Sequence, residues 1–241
     1  MRAARVSAAA LSTVFREEFQ AEPHPTLAAE PVWRDATGLR EAHLAAYREF
    51  GLLGWLNRKG LVAGHVLDTL SVLTRPSYEY YGMFQSRGRV HSVLVVVGPS
   101  ESVLVARSGD DLSLVCLRDN ESASHAFVRQ LPEYPAARAD SLNVRLADLG
   151  GQEDSGRLGQ QDARKVRLLS EQRAVGMGEL WVAARDRRGT RRTCAQPVRY
   201  LDLATGRILL TITDGYVSIA PASRELLRTR ITEAMRAIRA D

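Results

Sequence analysis

Residues 206–223 decide the fold, and they read GRILLTITDGYVSIAPAS. Branched and apolar residues lie on both sides of Asp214-Gly215, a dipeptide that strongly favours the two-residue turn of a β-hairpin. Ser223 then predicts the N-cap of a final helix, because its hydroxyl can accept a hydrogen bond from an unpaired backbone N–H. The stretch therefore predicts strand, turn, strand and helix in succession.

The same succession of elements is predicted in the first half of the chain. Strands over 103–106 and 112–117 are separated by a polar turn, and a helix over 120–131 follows them. With one fixed offset the two segments align, and Phe127 falls on Ile231. Two unrelated meanders with trailing helices would also align in this way. We favour two similar halves that build one antiparallel sheet with helices packed against it.

Three helices are predicted at the start of the chain, where apolar residues recur every three or four positions. The first is capped by Ser7, the second begins near Thr37 and the third spans 61–73. The side chains expected along one side of the second helix are Leu39, His43, Leu44, Tyr47 and Phe50. A short extended piece is expected around Val32 and Trp33.

A single domain of two halves is predicted, with residues 1–149 and 162–241 joined by a connector over 150–161. The connector is rich in Gly, Gln, Asp and Ser, which is typical of a flexible linker. The helix expected after it carries Val166, Leu168, Leu169 and Val175. Gly176-Met177-Gly178 then follow in the order of a helix stop, where a glycine takes the left-handed conformation.

Composition predicts a cytosolic globular protein. The 241 residues are 45% hydrophobic and 25% charged, which is ordinary for a globular chain and provides a core without a disulfide or a metal. Cys116 and Cys194 are far apart and have no metal-ligand spacing, a usage that suits a reducing compartment. Neither a secretory signal nor a membrane-spanning segment is visible.

No catalytic or cofactor-binding pattern emerges, so we predict that the protein is not an enzyme. No pair of the five histidines has metal-ligand spacing, and His43 and His65 lie on different predicted helices without a metal-binding set around them. GxSxG, GxGxxG and GxxxxGK[ST] motifs are all absent from the sequence. We accordingly expect no metal and no cofactor.

The net charge of +5 leaves a different binding role open. Nearly all the positive charge is arginine, because the only lysines are Lys59 and Lys165, and such a bias is typical of GC-rich coding. A dense group of arginines occupies the predicted hairpin tip at 185–192. This group is the basis of an alternative function, nucleic-acid binding through phosphate contacts. Single-strand binders usually interleave aromatics with basic residues, and only Trp181 is near.

The run from 178 to 223 resembles the C-terminal half of the EspG family. Matching residues recur in order and with matching gaps; they are Gly178, Val182, Ala183, Arg185, Asp186, Gly189, Arg191, Pro197, Asp202, Gly206, Arg207, Asp214, Gly215, Tyr216, Val217, Ala220 and Pro221. The N-terminal half is similar more loosely, through its first helix, a proline-containing loop at 24–27 and the run LSVLTRP at 70–76. The resemblance spans nearly the whole chain.

The resemblance implies an α+β fold with a central antiparallel sheet of quasi-two-fold related halves, flanked by two helical bundles. It also implies a function, that of a cytosolic chaperone in actinobacteria. Such a chaperone binds the exposed apolar tip of a PPE-type helical protein, itself paired with a PE protein. It keeps the pair soluble and directs it to its ESX type VII secretion system. A homodimer is left open.

The resemblance places client contacts on the sheet, the C-terminal bundle and the loop between two early strands. That loop would be 85–90 here and is short, which puts the identity of the client in doubt. The family motifs identify no individual contact residue. From their positions we name five candidates: Phe84, Arg87, Arg89, Trp181 and Tyr200. Plain core packing is the alternative for Trp181 and Tyr200.

Overall fold

The computed structural model describes residues 3–149 and 157–240, which contain eleven strands and seven helices. The first half contains β1 (Ala4–Ser7), α1 (Ala8–Phe19), α2 (Ala36–Leu52), α3 (Gly64–Thr74), β2 (Tyr78–Ser86), β3 (Arg89–Val97), β4 (Ser102–Ser108), β5 (Asp111–Cys116) and α4 (Ala123–Val128). The second contains β6 (Leu142–Arg145), α5 (Leu146–Leu149), α6 (Arg157–Ser170), β7 (Gly176–Arg185), β8 (Arg191–Thr193), β9 (Val198–Leu203), β10 (Gly206–Thr213), β11 (Tyr216–Pro221) and α7 (Arg224–Ala240).

All the strands belong to one antiparallel sheet, and its two halves have the same arrangement of strands outward from the centre. Its order is β1-β5-β4-β3-β2-β7-β9-β10-β11-β6, with β8 added beside β7. The central pair, β2 and β7, runs in register from Tyr78 opposite Ala184 to Ser86 opposite Gly176. Counted outward from this pair, each strand of the first half has a counterpart in the second. The predicted α+β fold with quasi-two-fold halves is confirmed.

Helices cover the sheet on both faces. On the first face, α1–α3 cover β3–β5, with Leu94 and Val105 among the buried residues. On the same face, α6 covers β10 and β11 at the other end of the sheet, where Ile208 is buried. On the second face, α4 and α7 pack across both halves, and Phe127 and Leu209 are buried there. The arrangement follows from the alternation of side chains along each strand.

Local signals in the sequence explain the first helix and two hairpins. The Ser7 hydroxyl accepts a hydrogen bond from the Ala10 N–H over 3.1 Å, as a cap should. Ser7 also donates through its N–H and hydroxyl to the Glu49 carboxylate, at 2.6 and 2.7 Å, which ties α1 to α2. At the β10–β11 turn, Asp214 and Gly215 have φ of 51° and 78°, the left-handed values that a two-residue hairpin turn needs.

Two of the helix predictions were wrong in detail. Leu39 and Leu44 of α2 are 59% and 61% exposed, because α2 packs mainly on α1 and buries only Ala46 and Phe50. The helix predicted over 120–131 is limited to α4, and the chain then continues in single tight turns. The piece predicted to be extended around Val32 and Trp33 lies outside every helix and strand, and Trp33 is 88% exposed.

The prediction that Gly176 and Gly178 end a helix is wrong. Both glycines lie at the start of β7. Helix α6 already ends at Ser170, which leaves Val175 outside it. At Gly178, a Cβ would lie 2.4 Å from the Tyr200 ring, so glycine is needed for that ring to lie against the strand. Most of the predicted connector, residues 150–156, lies outside the described residues, and 157–161 begin α6.

Candidate functional site

The centre of the first face is exposed between α1–α3 at one end of the sheet and α6 at the other. Met83 is 58% exposed, Val90 59% and Met177 46%, although all three lie within strands of the sheet. We call this area the central strip and define it by these three residues with Gln85, Glu179, Trp181 and Arg199. Clustered apolar side chains on an exposed surface mark sites of interaction with other proteins.

The strand register places the residues of the central strip side by side. Gln85 lies between Val90 on one neighbouring strand and Met177 on the other. In the adjacent row Met83 lies opposite Glu179, which in turn lies opposite Arg199. Glu179 and Arg199 form a 2.7 Å ion pair. The strip is therefore a mixed surface, in which exposed apolar side chains surround Gln85 and Glu179 and Arg199 lies at one edge.

Stacked side chains hold one end of the strip in place. Trp181 is half-buried and lies nearly parallel to Tyr81, with 6.4 Å between ring centroids and 12° between planes. The Arg191 guanidinium lies 5.4 Å from the Tyr81 ring and donates to the buried carboxylate of Glu79 over 2.6 Å. Burial and the charge of Arg191 lower the pKa of His24, which packs on the edge of Tyr81, to about 4.

The structure does not bring the five candidate contact residues onto one surface. Trp181 lies on the central strip. Arg87 and Arg89 are exposed at the β2–β3 hairpin, next to Gln85 and Val90 of the strip. Phe84 and Tyr200 lie on the second face and are 6% and 1% exposed, so any client contact would require them to leave the core.

Tyr200 packs in the core, the alternative that we noted for it. Its ring lies 4.2 Å from the guanidinium of Arg207, which is itself fully buried. Arg207 donates to the Asp202 carboxylate over 2.6 and 2.9 Å and to the Pro132 carbonyl over 3.0 Å. Burial raises the pKa of the Tyr200 hydroxyl. This group of side chains joins β9 and β10 to the segment after α4.

A groove of about 1100 Å³ opens on the second face beside the β2–β3 hairpin. Phe84, Arg87 and Arg89 line it, together with Arg5 and His91. Several serines complete its walls, so the groove is more polar than the central strip. An apolar ligand therefore fits the strip better.

Sequence reasoning missed the three exposed residues of the strip. Met83 lies in a strand that was correctly predicted, but nothing local indicated which face would be exposed. Val90 was assigned to the loop 85–90, and that was wrong, because β2 runs to Ser86 and β3 begins at Arg89. Met177 lay between the glycines that we had assigned to a helix stop. The pairing of β2 with β7 brings them together, and it joins segments far apart in the chain.

The arginine-rich segment 185–192 is a hairpin tip, as predicted, and we call it the arginine finger. Two of its arginines are engaged within the protein: Arg185 donates to the Gly189 carbonyl and Arg191 pairs with Glu79. The aromatic residue nearest in sequence, Trp181, is stacked on Tyr81 rather than free to stack on a base. The geometry thus gives no added support to nucleic-acid binding.

Within 3–149 and 157–240, no group of three or more His, Cys, Asp or Glu side chains could hold a metal ion. Across the same ranges, no helix has both the length and the apolar character needed to cross a membrane.

Comparisons with known proteins agree with the fold. A search of curated protein sequences found no match. Among solved structures, the chain is similar to the Mycobacterium tuberculosis type VII secretion system chaperone EspG5, solved in complex with a PE25–PPE41 dimer. The TM-score is 0.69 at 16% identity, and the match covers 97% of this chain and 95% of that one. The model of the EspG family matches residues 7–233. Since that match covers nearly the whole sequence, the chain belongs to the EspG family.

Proposed function

We propose that this protein is a cytosolic chaperone of an ESX type VII secretion system. It binds the exposed apolar tip of a PPE-like helical client, itself part of a PE/PPE-type pair, and holds it on the central strip. Family membership supports the chaperone role, and the similar EspG5 structure contains a PE25–PPE41 dimer. We also propose that 1–149 and 162–241 act as the two halves of a single domain.

The observation that carries this proposal is the set of exposed apolar residues in the central strip, between α1–α3 and α6. An exposed apolar helical tip tends to self-associate, and a bound chaperone prevents this aggregation by covering the tip. Met83 and Met177 suit such a task, because methionine is flexible and adapts to differently shaped apolar partners. The ion pair between Glu179 and Arg199 adds a polar contact beside these methionines.

The β2–β3 hairpin limits how the client is held. Its loop consists of Arg87 and Gly88 alone, both with positive φ, and Ser86 already pairs with Arg89. A two-residue loop of this kind is too short to extend beyond the sheet and wrap around a bound protein. Contacts of Arg87, Arg89 and Trp181 with the client remain predictions, and in this proposal the strip supplies most of the apolar contact.

The proposed role is binding without catalysis. The strip offers thioether, indole and aliphatic groups together with the Gln85 amide and the ion pair of Glu179 and Arg199. Those groups form contacts through burial and shape. The client is kept soluble by this cover alone until the secretion system takes it.

The experiment is co-expression with a PE/PPE-type pair, followed by size-exclusion chromatography. We expect a 1:1:1 complex for the wild type and none for Met83→Glu/Met177→Glu. Each methionine contributes roughly 1.5–3 kcal/mol when buried, so two charges there weaken binding by at least about a hundredfold. The control is Leu52→Glu, since Leu52 is apolar and 84% exposed but lies on α2.

Two results would contradict the proposal in different ways. If no PE/PPE-type pair co-elutes with the wild type, the chaperone role is wrong. If the complex forms and Met83→Glu/Met177→Glu binds as tightly as the Leu52→Glu control, the client is held elsewhere on the protein. The groove beside the β2–β3 hairpin would then be the next surface to test.

A further inference from the structure

The arginine finger has a rigid turn at its tip. The Asp186 carboxylate accepts hydrogen bonds from the backbone N–H groups of Arg188 and Thr190, both over 2.9 Å. The Arg185 guanidinium donates to the Gly189 carbonyl, also over 2.9 Å. Gly189 has a φ of 80°, which a glycine adopts without strain. The tip is therefore a preformed structure that projects arginines.

The C-terminal end of α7 adds two more arginines beside the finger. Arg192 lies opposite Ala184, which lies opposite Tyr78, so Arg192 and Tyr78 are about 10 Å apart across two strand spacings. The Arg239 guanidinium lies 5.3 Å from the Tyr78 ring. Burial raises the pKa of Tyr80 to about 12, and the nearby charges of Arg239 and Arg236 oppose that rise. The finger and α7 thus form one basic surface.

Five arginines of this surface are exposed and form no ion pair with another residue that the structure describes. We call them the basic end: Arg187, Arg188, Arg192, Arg236 and Arg239.

The chemistry of the basic end indicates its partner. No large apolar side chain is exposed between Met177 and Ile212, nor along α7, so nothing in these described segments would insert into a lipid surface. The Tyr78 ring is covered by Arg239, which leaves no free aromatic face there for a nucleic-acid base. Guanidinium groups pair with carboxylates in a planar, two-bonded geometry.

We propose that the basic end binds an acidic segment of a protein partner other than the client. Trp181, the strip residue nearest to the finger along β7, lies four residues before the finger begins, about 13 Å away, and Met83 lies opposite Glu179, about 20 Å away. A partner at the basic end therefore leaves the exposed methionines of the strip free, and both can bind together. Electrostatic attraction of this kind mainly raises the rate of association and selects the partner.

The test measures binding of a fluorescein-labelled peptide of ten glutamates by anisotropy. We expect Arg187→Glu/Arg188→Glu/Arg192→Glu to weaken binding about tenfold or more, as three exposed ion pairs lost together would. The control reverses three exposed arginines elsewhere: Arg48, Arg58 and Arg164. Because both variants change the net charge equally, the control should stay within about threefold of the wild type. Thermal melting verifies that both fold.

Three results would overturn the proposal. The first is no binding of the peptide, and the second is an equal loss in both variants, which would show attraction by net charge alone. The third is tighter, finger-dependent binding of a DNA duplex or of vesicles with anionic lipids, which would assign the surface to another class of partner. Failure here is distinct from failure of the chaperone role, since Met83→Glu/Met177→Glu should bind the peptide normally.

Discussion

Asp202→Asn should strongly destabilise the protein, although it changes one buried atom. Arg207 is fully buried, and its guanidinium donates to the Asp202 carboxylate over 2.6 and 2.9 Å. Asparagine keeps the shape of the side chain but removes the negative charge, so Arg207 becomes a buried charge without a counter-ion. A loss of about 3–5 kcal/mol follows, a large part of the roughly 5–15 kcal/mol that stabilises a typical domain.

Urea denaturation followed by circular dichroism measures this loss as a fall in the unfolding midpoint. The control is Glu179→Gln, since Glu179 and Arg199 are 2.7 Å apart like the buried pair but are half exposed. That variant should lose less than about 1 kcal/mol. The double variant Asp202→Leu/Arg207→Met should recover much of the loss, because apolar residues can replace a buried ion pair. If Asp202→Asn costs no more than Glu179→Gln, our account of this pair is refuted.

Three further predictions follow from other contacts. Gly178→Val should destabilise by about 1–3 kcal/mol in urea, because its side chain would collide with the Tyr200 ring. Ser7→Ala should cost about 1–3 kcal/mol, measured in the same way, because α1 loses its cap and the hydroxyl's hydrogen bond to Glu49. The folded protein holds the pKa of His24 at about 4 against 6.5 when unfolded, so stability should fall as pH drops from 6.5 towards 4. His24→Gln should flatten that decline in pH-dependent melts, and an unchanged slope would contradict it.

Turn chemistry and alternation made much of the sheet predictable. Asp214-Gly215 and the strands around it are as expected, and the repeated succession of elements anticipated the two mirrored halves. These features depend on a few neighbouring residues, whose conformations are restricted by local sterics and hydrogen bonding. The edge strand β1 was missed, because its four residues pair with β5, about a hundred positions away.

The candidate site could not be predicted to the same extent. Phe84 and Met83 are neighbours in β2, yet one is buried against α4 and α7 and the other is exposed on the central strip. Both are apolar, so hydropathy alone does not tell them apart. The outcome depends on where α1–α3 and α6 end on the first face, which is decided by tertiary packing. Leu39 and Leu44 of α2 show the same effect, since helical spacing predicted their burial and packing left them exposed.

During synthesis on the ribosome, β2 is made long before its partner strand β7. β2 is nine residues long and reaches its partner only after about a hundred more residues have been translated. At about 5–20 residues per second, that interval is roughly 5–20 s. Throughout it the first half carries a long strand with an unpaired edge, which can template pairing with another nascent chain. We therefore expect this edge of β2 to be a point of self-association until the second half of the protein has been synthesised.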